Sequence, residues 1–347
     1  MTALFVSYSG VLGGSERILL DCATRLDRTA ILACPEGPLA AASRAAGLRH
    51  ALLPERPLRL GATHMLGLAA LARDIAALAR RHRPHALAAW GARAVLAAAA
   101  VPRDRRPPDL AVHMDLLPRH GLAPAVRWAT GRADGVATAS AAIGRALLRD
   151  AITVLHPGVD LAAWRPERLP PSAPPRALVL GALVRWKRPD LALEVAARIP
   201  ELQLELAGAP LPGDGDALER SLRARAAGAD LAGRVRFLGA LADPRPALAR
   251  AHCLLHCSDA EPYGLALVEA LAAGRPVVAA DAGGPREIVG GGAGRLFVPG
   301  DPDSAAAALR AVLADAAAPA AARARAEERF AVEASTARFR AALDAIA

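Results

Sequence analysis

The sequence predicts an α/β protein built from two doubly wound, parallel-sheet units. Three observations carry that expectation. Short apolar runs alternate with Ala-rich helical stretches along the whole chain, and a proline cluster interrupts the alternation near its middle. The third is length: 347 residues exceed what one core sustains, because single cores stop growing at roughly 250–300 residues.

In the first half, apolar runs at 4–8, 30–33, 86–89, 110–113, 136–140 and 153–156 predict strands. Stretches at 15–26, 64–81, 123–132 and 141–148 predict helices between them. Such alternation means crossover connections, hence a parallel sheet covered on both faces. Pro166, Pro170, Pro171, Pro174 and Pro175 then remove backbone donors and stiffen the chain, which predicts an interdomain linker. Strands are expected again at 177–181, 203–207, 234–238, 253–257 and 276–280. Helices are expected at 189–198, 218–227, 246–251, 264–273 and 304–313, with a last amphipathic helix over 333–346. The expected domains are therefore 1–165, a linker 166–176, 177–330, and a terminal helix 331–347 that packs back on the first domain.

A hydrophobic share of 53% against 22% charged residues excludes wholesale disorder. The most apolar stretch, 86–101, is interrupted by Arg93 and is shorter than the roughly 20 residues a membrane span needs. MTALFVSYSG has no basic residue before its apolar run, so a first buried strand is expected there and not a secretory leader. Cys22, Cys34, Cys253 and Cys257 form no C-x-x-C pair, and in a chain of this size they read as reduced core residues of a cytoplasmic protein.

Charge is unevenly placed. Residues 1–165 hold 21 Arg against 12 acidic residues, while the remainder balances 22 against 22, so the whole net charge of +9 sits in the first half. That points to an anionic partner, whether membrane surface, acidic glycan or nucleic acid, or else to an Arg-biased composition with no binding role. Of 43 basic residues only Lys187 is a lysine. In a chain that otherwise uses Arg, it marks a site where a compact ammonium fits and a planar fork does not.

The strongest local signal is Glu261-Pro262-Tyr263-Gly264-Leu265-Ala266-Leu267-Val268-Glu269. A strand ends near Ser258, a tight Pro/Gly loop follows, and a helix starts near Gly264. Unpaired amides at a helix N-terminus attract phosphate, and glycine allows close approach of backbone to a ligand. Glu261 before the helix and Glu269 inside it can each accept hydrogen bonds from the paired hydroxyls of a sugar or ribose. Glu269 falls in an apolar run, where an unpaired charge is costly. His113 follows a buried strand, and sheet ligands gather at strand C-termini, so it faces the expected cleft.

Three signals are discounted. His252, Cys253, His256 and Cys257 would alternate across a strand and could not converge on zinc. Gly13-Gly14 lacks a G-x-G-x-x-G fingerprint, which argues against a nicotinamide cofactor. Asp214-Gly215-Asp216 and Asp301-Pro302-Asp303 lie in Pro/Gly-rich turns, where Asp is a common turn or helix-start residue.

The block EPYGLALVEALAAGRPVVAADAGGPREIV resembles the E-x(7)-E donor motif of GT-B glycosyltransferases of family 4, the group 1 transferases. The likeness runs nearly end to end. GGSERILLDCA resembles their N-terminal glycine loop, with Gly14 in it, and HPGVD their interdomain segment. LGALVRWKRPDLALEVA resembles the phosphate-binding strand and helix. ELAGAP, holding Gly208, and RVRFLG, holding Phe237, resemble the segments that flank the nucleotide base. The E-x(7)-E block is specific; the other pieces are individually weak.

The resemblance implies a GT-B fold, two Rossmann-like domains with parallel sheets facing a cleft, the donor held mainly by the second. It implies that Glu269 holds the ribose and Glu261 the donor sugar. Tyr263 belongs to the same donor loop, and the Gly264 and Leu265 amides would meet the diphosphate. Lys187 would neutralise the leaving diphosphate, and His113 would lie against the donor sugar. One position departs from the family pattern: Ala182 follows Gly181 where an Arg is usual, so Arg185 or Arg188 must reach the phosphates or activity is weakened. The implied function is a retaining, metal-independent transfer from a nucleotide-diphosphate sugar to a glycan or lipid-linked acceptor. No cofactor and no nucleic acid are implied; the implied place is cytoplasmic, either free or peripheral on the inner face of an anionic membrane. Two alternatives stand beside it: a nucleotide-sugar epimerase of the same fold, which lacks this E-x(7)-E block, and a degenerate sugar-nucleotide binder without turnover, for which Ala182 is the support.

Overall fold

A computed structural model describes residues 2–26, 28–55, 62–117, 121–167, 174–210 and 215–347. The described chain divides into two compact units, Met1–Pro157 with Val332–Ala347, and Gly158–Ala331.

The first unit holds seven strands: β1 (Thr2–Ser7), β2 (Thr29–Cys34), β3 (Arg49–Leu52), β4 (Ala86–Trp90), β5 (Asp109–His113), β6 (Gly135–Thr138) and β7 (Thr153–Val154). They form one sheet in the order β3-β2-β1-β4-β5-β6-β7, and every pairing is parallel. Its helices are α1 (Gly14–Thr24), α2 (Pro38–Ala45), α3 (Ala62–His82), α4 (Ala92–Ala100), α5 (Ala123–Gly131) and α6 (Ala141–Leu147). Strands β4 and β5 are buried at every position, as strands covered on both faces must be.

Three elements here were not expected from sequence: β3, α2 and α4. The apolar run 86–101 is in fact β4, a turn at Gly91 and then α4, two elements with almost no polar punctuation between them. Strand β3 is a polar edge strand, too short and too mixed to show alternation.

The second unit holds β8 (Arg176–Leu180), β9 (Gln203–Ala207), β10 (Val235–Gly239), β11 (Cys253–His256), β12 (Val277–Ala280) and β13 (Gly294–Phe297). Their order is β10-β9-β8-β11-β12-β13, again parallel throughout. Helices α7 (Pro189–Ala197), α8 (Gly215–Ala226), α9 (Arg245–Arg250), α10 (Leu265–Ala272), α11 (Pro285–Ile288), α12 (Pro302–Ala314) and α13 (Ala318–Arg329) complete it. Leu204 and Leu206 of β9, Leu255 of β11 and Val278 of β12 meet Leu193, Val195 and Leu309 in one apolar core. The intervening Glu205 is buried too and pairs with Arg250 at 3.0 Å.

The last helix, α14 (Val332–Asp344), belongs to the first unit. Its Phe339 stacks on Phe5 of β1 at 5.6 Å and packs against Trp90. The units divide at residue 157, ahead of the proline cluster, where the sequence had suggested 165. Val159 explains the difference: its N–H bonds the Phe330 carbonyl at 2.9 Å and it forms a parallel bridge with Ala331. Residues 168–173 of the expected linker lie outside the described residues.

Candidate functional site

In the second unit the chain runs outward from β8 to β9 and β10, then crosses back to β11 on the other side of β8. The connections leaving β8 and β11 therefore diverge, and the carboxyl ends of these neighbours open a crevice, the place where doubly wound sheets bind ligands. Lys187 follows β8, in a short 3-10 turn Arg185–Lys187. Glu261 follows β11, in the loop that enters α10.

The structure brings these two residues together. Lys187 Nζ lies 3.5 Å from Glu261 Oε2. The same oxygen accepts from His256 Nε2 at 2.8 Å and from Ser258 Oγ at 3.2 Å. Glu261, His256 and Ser258 are all buried. Burial pushes the Glu261 carboxyl up, but the His256 hydrogen bond and charge, the Lys187 ammonium and the Ser258 hydroxyl outweigh it and hold the group at about 2. The result is a pre-ionised, fully oriented carboxylate at the crevice. Lys187 Nζ also sits 4.7 Å over the half-exposed Trp186 ring.

The loop that carries Glu261 is fixed from below. Gly284 N–H bonds the Glu261 carbonyl at 2.9 Å, and Glu261 forms a parallel bridge with Gly283. A Cβ on Gly283 would collide with the Glu261 carbonyl, and one on Gly284 with the backbone of the buried Tyr263. This is why the GGP sequel accompanies the carboxylate. Gly264 caps α10 with φ of 108°, a conformation a side chain would strain. From there the first amides of α10, at Gly264 and Leu265, have no partner within the helix. Glu269 is buried one turn further on.

Gly208 follows β9, where a Cβ would strike the Gly181 carbonyl, so the loops after β8 and β9 lie against each other. Phe237 of β10 carries the Arg223 guanidinium 4.4 Å above its ring. Of the cations considered for the place of the missing Arg beside Ala182, Arg188 is committed: it bonds Asp190 at 2.9 Å and Asp259 at 3.2 Å. Arg185 is exposed and forms no ion pair with any described residue.

His256 and Ser258 were missed in the sequence. His256 had been weighed only as a possible metal ligand beside His252, which in fact accepts the Arg176 N–H at 3.0 Å. Its position as the last residue of β11 was the available signal. Among the described residues no group of three or more His, Cys, Asp or Glu could hold a metal ion. Asp301 accepts from Asp303 and Ser304 N–H groups as the N-cap of α12, and Asp214 lies outside the described residues.

The first unit repeats the switch of direction between β1 and β4. There a cavity of about 390 Å³ is lined by Ser7, Ser15, Glu16, Trp90 and His113, among others. Gly14 opens α1 beside it, and the Glu16 carboxylate accepts the Gly13 N–H at 3.1 Å. Trp90 donates to Ser15 Oγ at 3.0 Å. His113 ends β5 and is buried, which pushes its pKa down to about 4, so the ring is neutral. Gly14 and His113 thus belong to the first unit, and the other nine expected site residues to the second.

Comparison with known proteins bears on the fold and on the second unit. The Anabaena protein HepE, solved with UDP and glucose, superposes with a TM-score of 0.85 at 25% identity, covering 99% of each chain. The two doubly wound units are thus a GT-B fold. Residues 161–329 match the family described as glycosyl transferases group 1. The phosphatidyl-myo-inositol mannosyltransferase of Mycolicibacterium smegmatis is 35% identical over 182 residues, 49% of this chain and 45% of that one. A D-inositol 3-phosphate glycosyltransferase of Geodermatophilus obscurus is 39% identical over 183 residues, 46% of this chain and 40% of that one. The matches span less than half the length of these curated relatives. The match to the group 1 glycosyl transferases lies within the second unit, Gly158–Ala331, and spans nearly all of it.

Proposed function

We propose that the chain is a retaining glycosyltransferase that moves a sugar from a nucleotide-diphosphate donor to a glycan or lipid-linked acceptor without a metal ion. The observation that carries this reading is the Lys187–Glu261 pair at the crevice between β8 and β11, with the amides of α10 beside it. Bond cleavage to the donor sugar leaves negative charge on the diphosphate. Lys187 and the α10 dipole stand where that charge develops, and fixed cations at a departing phosphate are a large catalytic contribution. Glu269 would bind the ribose hydroxyls and the ionised Glu261 the hydroxyls of the transferred sugar. Tyr263, Gly208 and Phe237 would line the nucleotide side, and Arg185 would take the part of the cation absent at Ala182. The HepE complexes with UDP and UDP-glucose make uridine donors the first to test.

The acceptor would enter the first unit, near His113 and Gly14, and the basic excess there would hold it, or the enzyme, against an anionic membrane on the cytoplasmic side. Ala182 favours one second reading, a nucleotide-sugar binder without turnover.

A thermal-shift screen against UDP-, GDP- and ADP-sugars tests the proposal, since a ligand that binds only the native state raises the melting temperature. At least one donor should raise it, and purified protein should then slowly hydrolyse that donor. Binding without hydrolysis or transfer would favour the second reading, and no shift with any donor would remove both.

A further inference from the structure

We propose that His256 and Ser258 are positioning residues that make Glu261 a reader of the donor sugar, and that Lys187 is the partner free to leave it. This rests on the donor site described above. All three donors converge on one oxygen of Glu261, at 2.8 Å for His256, 3.2 Å for Ser258 and 3.5 Å for Lys187. The other oxygen, Oε1, has no partner among the described residues. A carboxylate held through one oxygen by two donors from buried, fixed residues keeps its orientation, so its second oxygen keeps a fixed direction and a full acceptor capacity.

The supports differ in rigidity. His256 is the last residue of β11, hydrogen-bonded in the middle of the sheet, and is 4% exposed; Ser258 is 1% exposed. Neither can follow a ligand. Lys187 stands on a 3-10 turn, carries the longest of the three contacts, and its side chain is 23% exposed. Its flexible stem can turn the ammonium from Glu261 to a diphosphate without disturbing the carboxylate, because two other donors remain. In a site without His256, only the longer Ser258 contact would hold the carboxylate once Lys187 turned away.

The consequence is a split between two ligands. Removing the His256 donor should weaken the hold on the sugar and leave the hold on the nucleotide intact. We would measure, by isothermal titration, the affinity of wild type, His256→Leu, His256→Gln and Ser258→Ala for UDP and for the UDP-sugar that binds wild type best, or for the matching GDP or ADP pair. His256→Leu keeps the buried volume and loses the donor. It should bind the nucleotide sugar roughly tenfold more weakly, with nucleotide affinity unchanged within about twofold. His256→Gln, whose amide nitrogen reaches the place of Nε2, should restore most of the sugar affinity. Ser258→Ala should show a smaller loss in the same direction, and decides the matter if His256→Leu does not fold. A merely structural role would weaken both ligands together, and that result, or an unchanged sugar affinity, overturns the proposal. If wild type binds neither nucleotide nor nucleotide sugar, the donor site itself is wrong and this inference goes with it.

Discussion

His113 Nε2 lies 2.9 Å from Thr130 Oγ1, and Thr130 donates its own hydrogen to the Val126 carbonyl at 2.7 Å. The hydroxyl can therefore only accept from the ring, so Nε2 carries the proton and Nδ1 presents a lone pair. The first unit thus holds, beside its cavity, a neutral imidazole with a fixed tautomer.

Its burial sets a pH dependence. The unfolded ring titrates near 6.5 and the folded one at about 4. Between these values the unfolded chain binds more protons, so stability is full above 6.5 and falls as pH drops toward 4. The loss should reach about 3 kcal/mol, at 1.36 kcal/mol per pH unit. Urea unfolding of wild type and His113→Gln across this range measures it, and the variant should lack that part of the slope. Glu261, held at about 2, acts in a lower window: its contribution is present above about 4.5 and lost toward 2. Identical slopes in the two proteins between pH 6.5 and 4 would mean that His113 protonates without penalty.

Much of this was legible in the sequence, and what was not has physical causes. Eleven strands and the E-x(7)-E loop announce themselves because fully buried parallel strands read as apolar runs. The helices α2, α4, α11 and α13 do not: α2 is only eight residues long, α4 is fused to β4 in one apolar run, α11 is a four-residue turn, and α13 is an Arg- and Ala-rich helix with a weak apolar face. At the site, Glu261, Glu269 and Lys187 were visible because charge in an apolar or otherwise Lys-free context is unusual. His256 and Ser258 were not, since a polar residue at a strand end reveals its role only when the loop folds back over it.

Glu269→Ala should weaken donor binding about 10- to 100-fold, because a charge-assisted hydrogen bond is worth roughly 1.5–3 kcal/mol. The loss should appear with UDP alone as well as with the nucleotide sugar, since the ribose is common to both. Titration calorimetry on protein of unchanged melting temperature reads it; equal affinities would take Glu269 out of the ribose site.

Lys187→Ala should lower turnover more than donor affinity, because the ammonium matters most as charge builds on the leaving diphosphate. Lys187→Arg should rescue partly, since the planar fork cannot pack at the Gly181 backbone as the ammonium does; a Cβ placed on Gly181 would already lie only 3.3 Å from Nζ. Steady-state kinetics with the identified donor checks both. Wild-type turnover in Lys187→Ala would make the lone lysine a coincidence.

Activity should persist in excess EDTA. Asp301 is occupied as a helix cap and Asp303 pairs with Arg198, so this Asp-x-Asp turn is committed to local structure. Transfer assayed with chelator, then with added magnesium or manganese, gives the answer. Abolition by EDTA with recovery on metal addition would transfer the neutralising role from Lys187 to an ion.

The basic first half should dock on an anionic membrane, and the structure narrows where. The 103–106 segment contributes little: Arg106 is buried against Asp109, and Arg103 pairs with Asp134. The last turn of α3 is different. Arg80, Arg81 and the following Arg83 are exposed and form no ion pair with any described residue, and Arg73 is exposed further back on the same helix. Each basic residue near an anionic leaflet contributes about 1 kcal/mol, fading beyond a Debye length of roughly 8 Å. Four such residues give reversible attachment, and no single described helix is long and apolar enough to cross a membrane. Wild type should therefore co-sediment with vesicles containing anionic lipid at low salt and release at high salt. Arg80→Glu with Arg81→Glu should abolish most of that binding while leaving the melting temperature and donor affinity unchanged. Recovery of wild type in the supernatant at every salt concentration would leave the arginines as solubilising charge and point to a soluble acceptor.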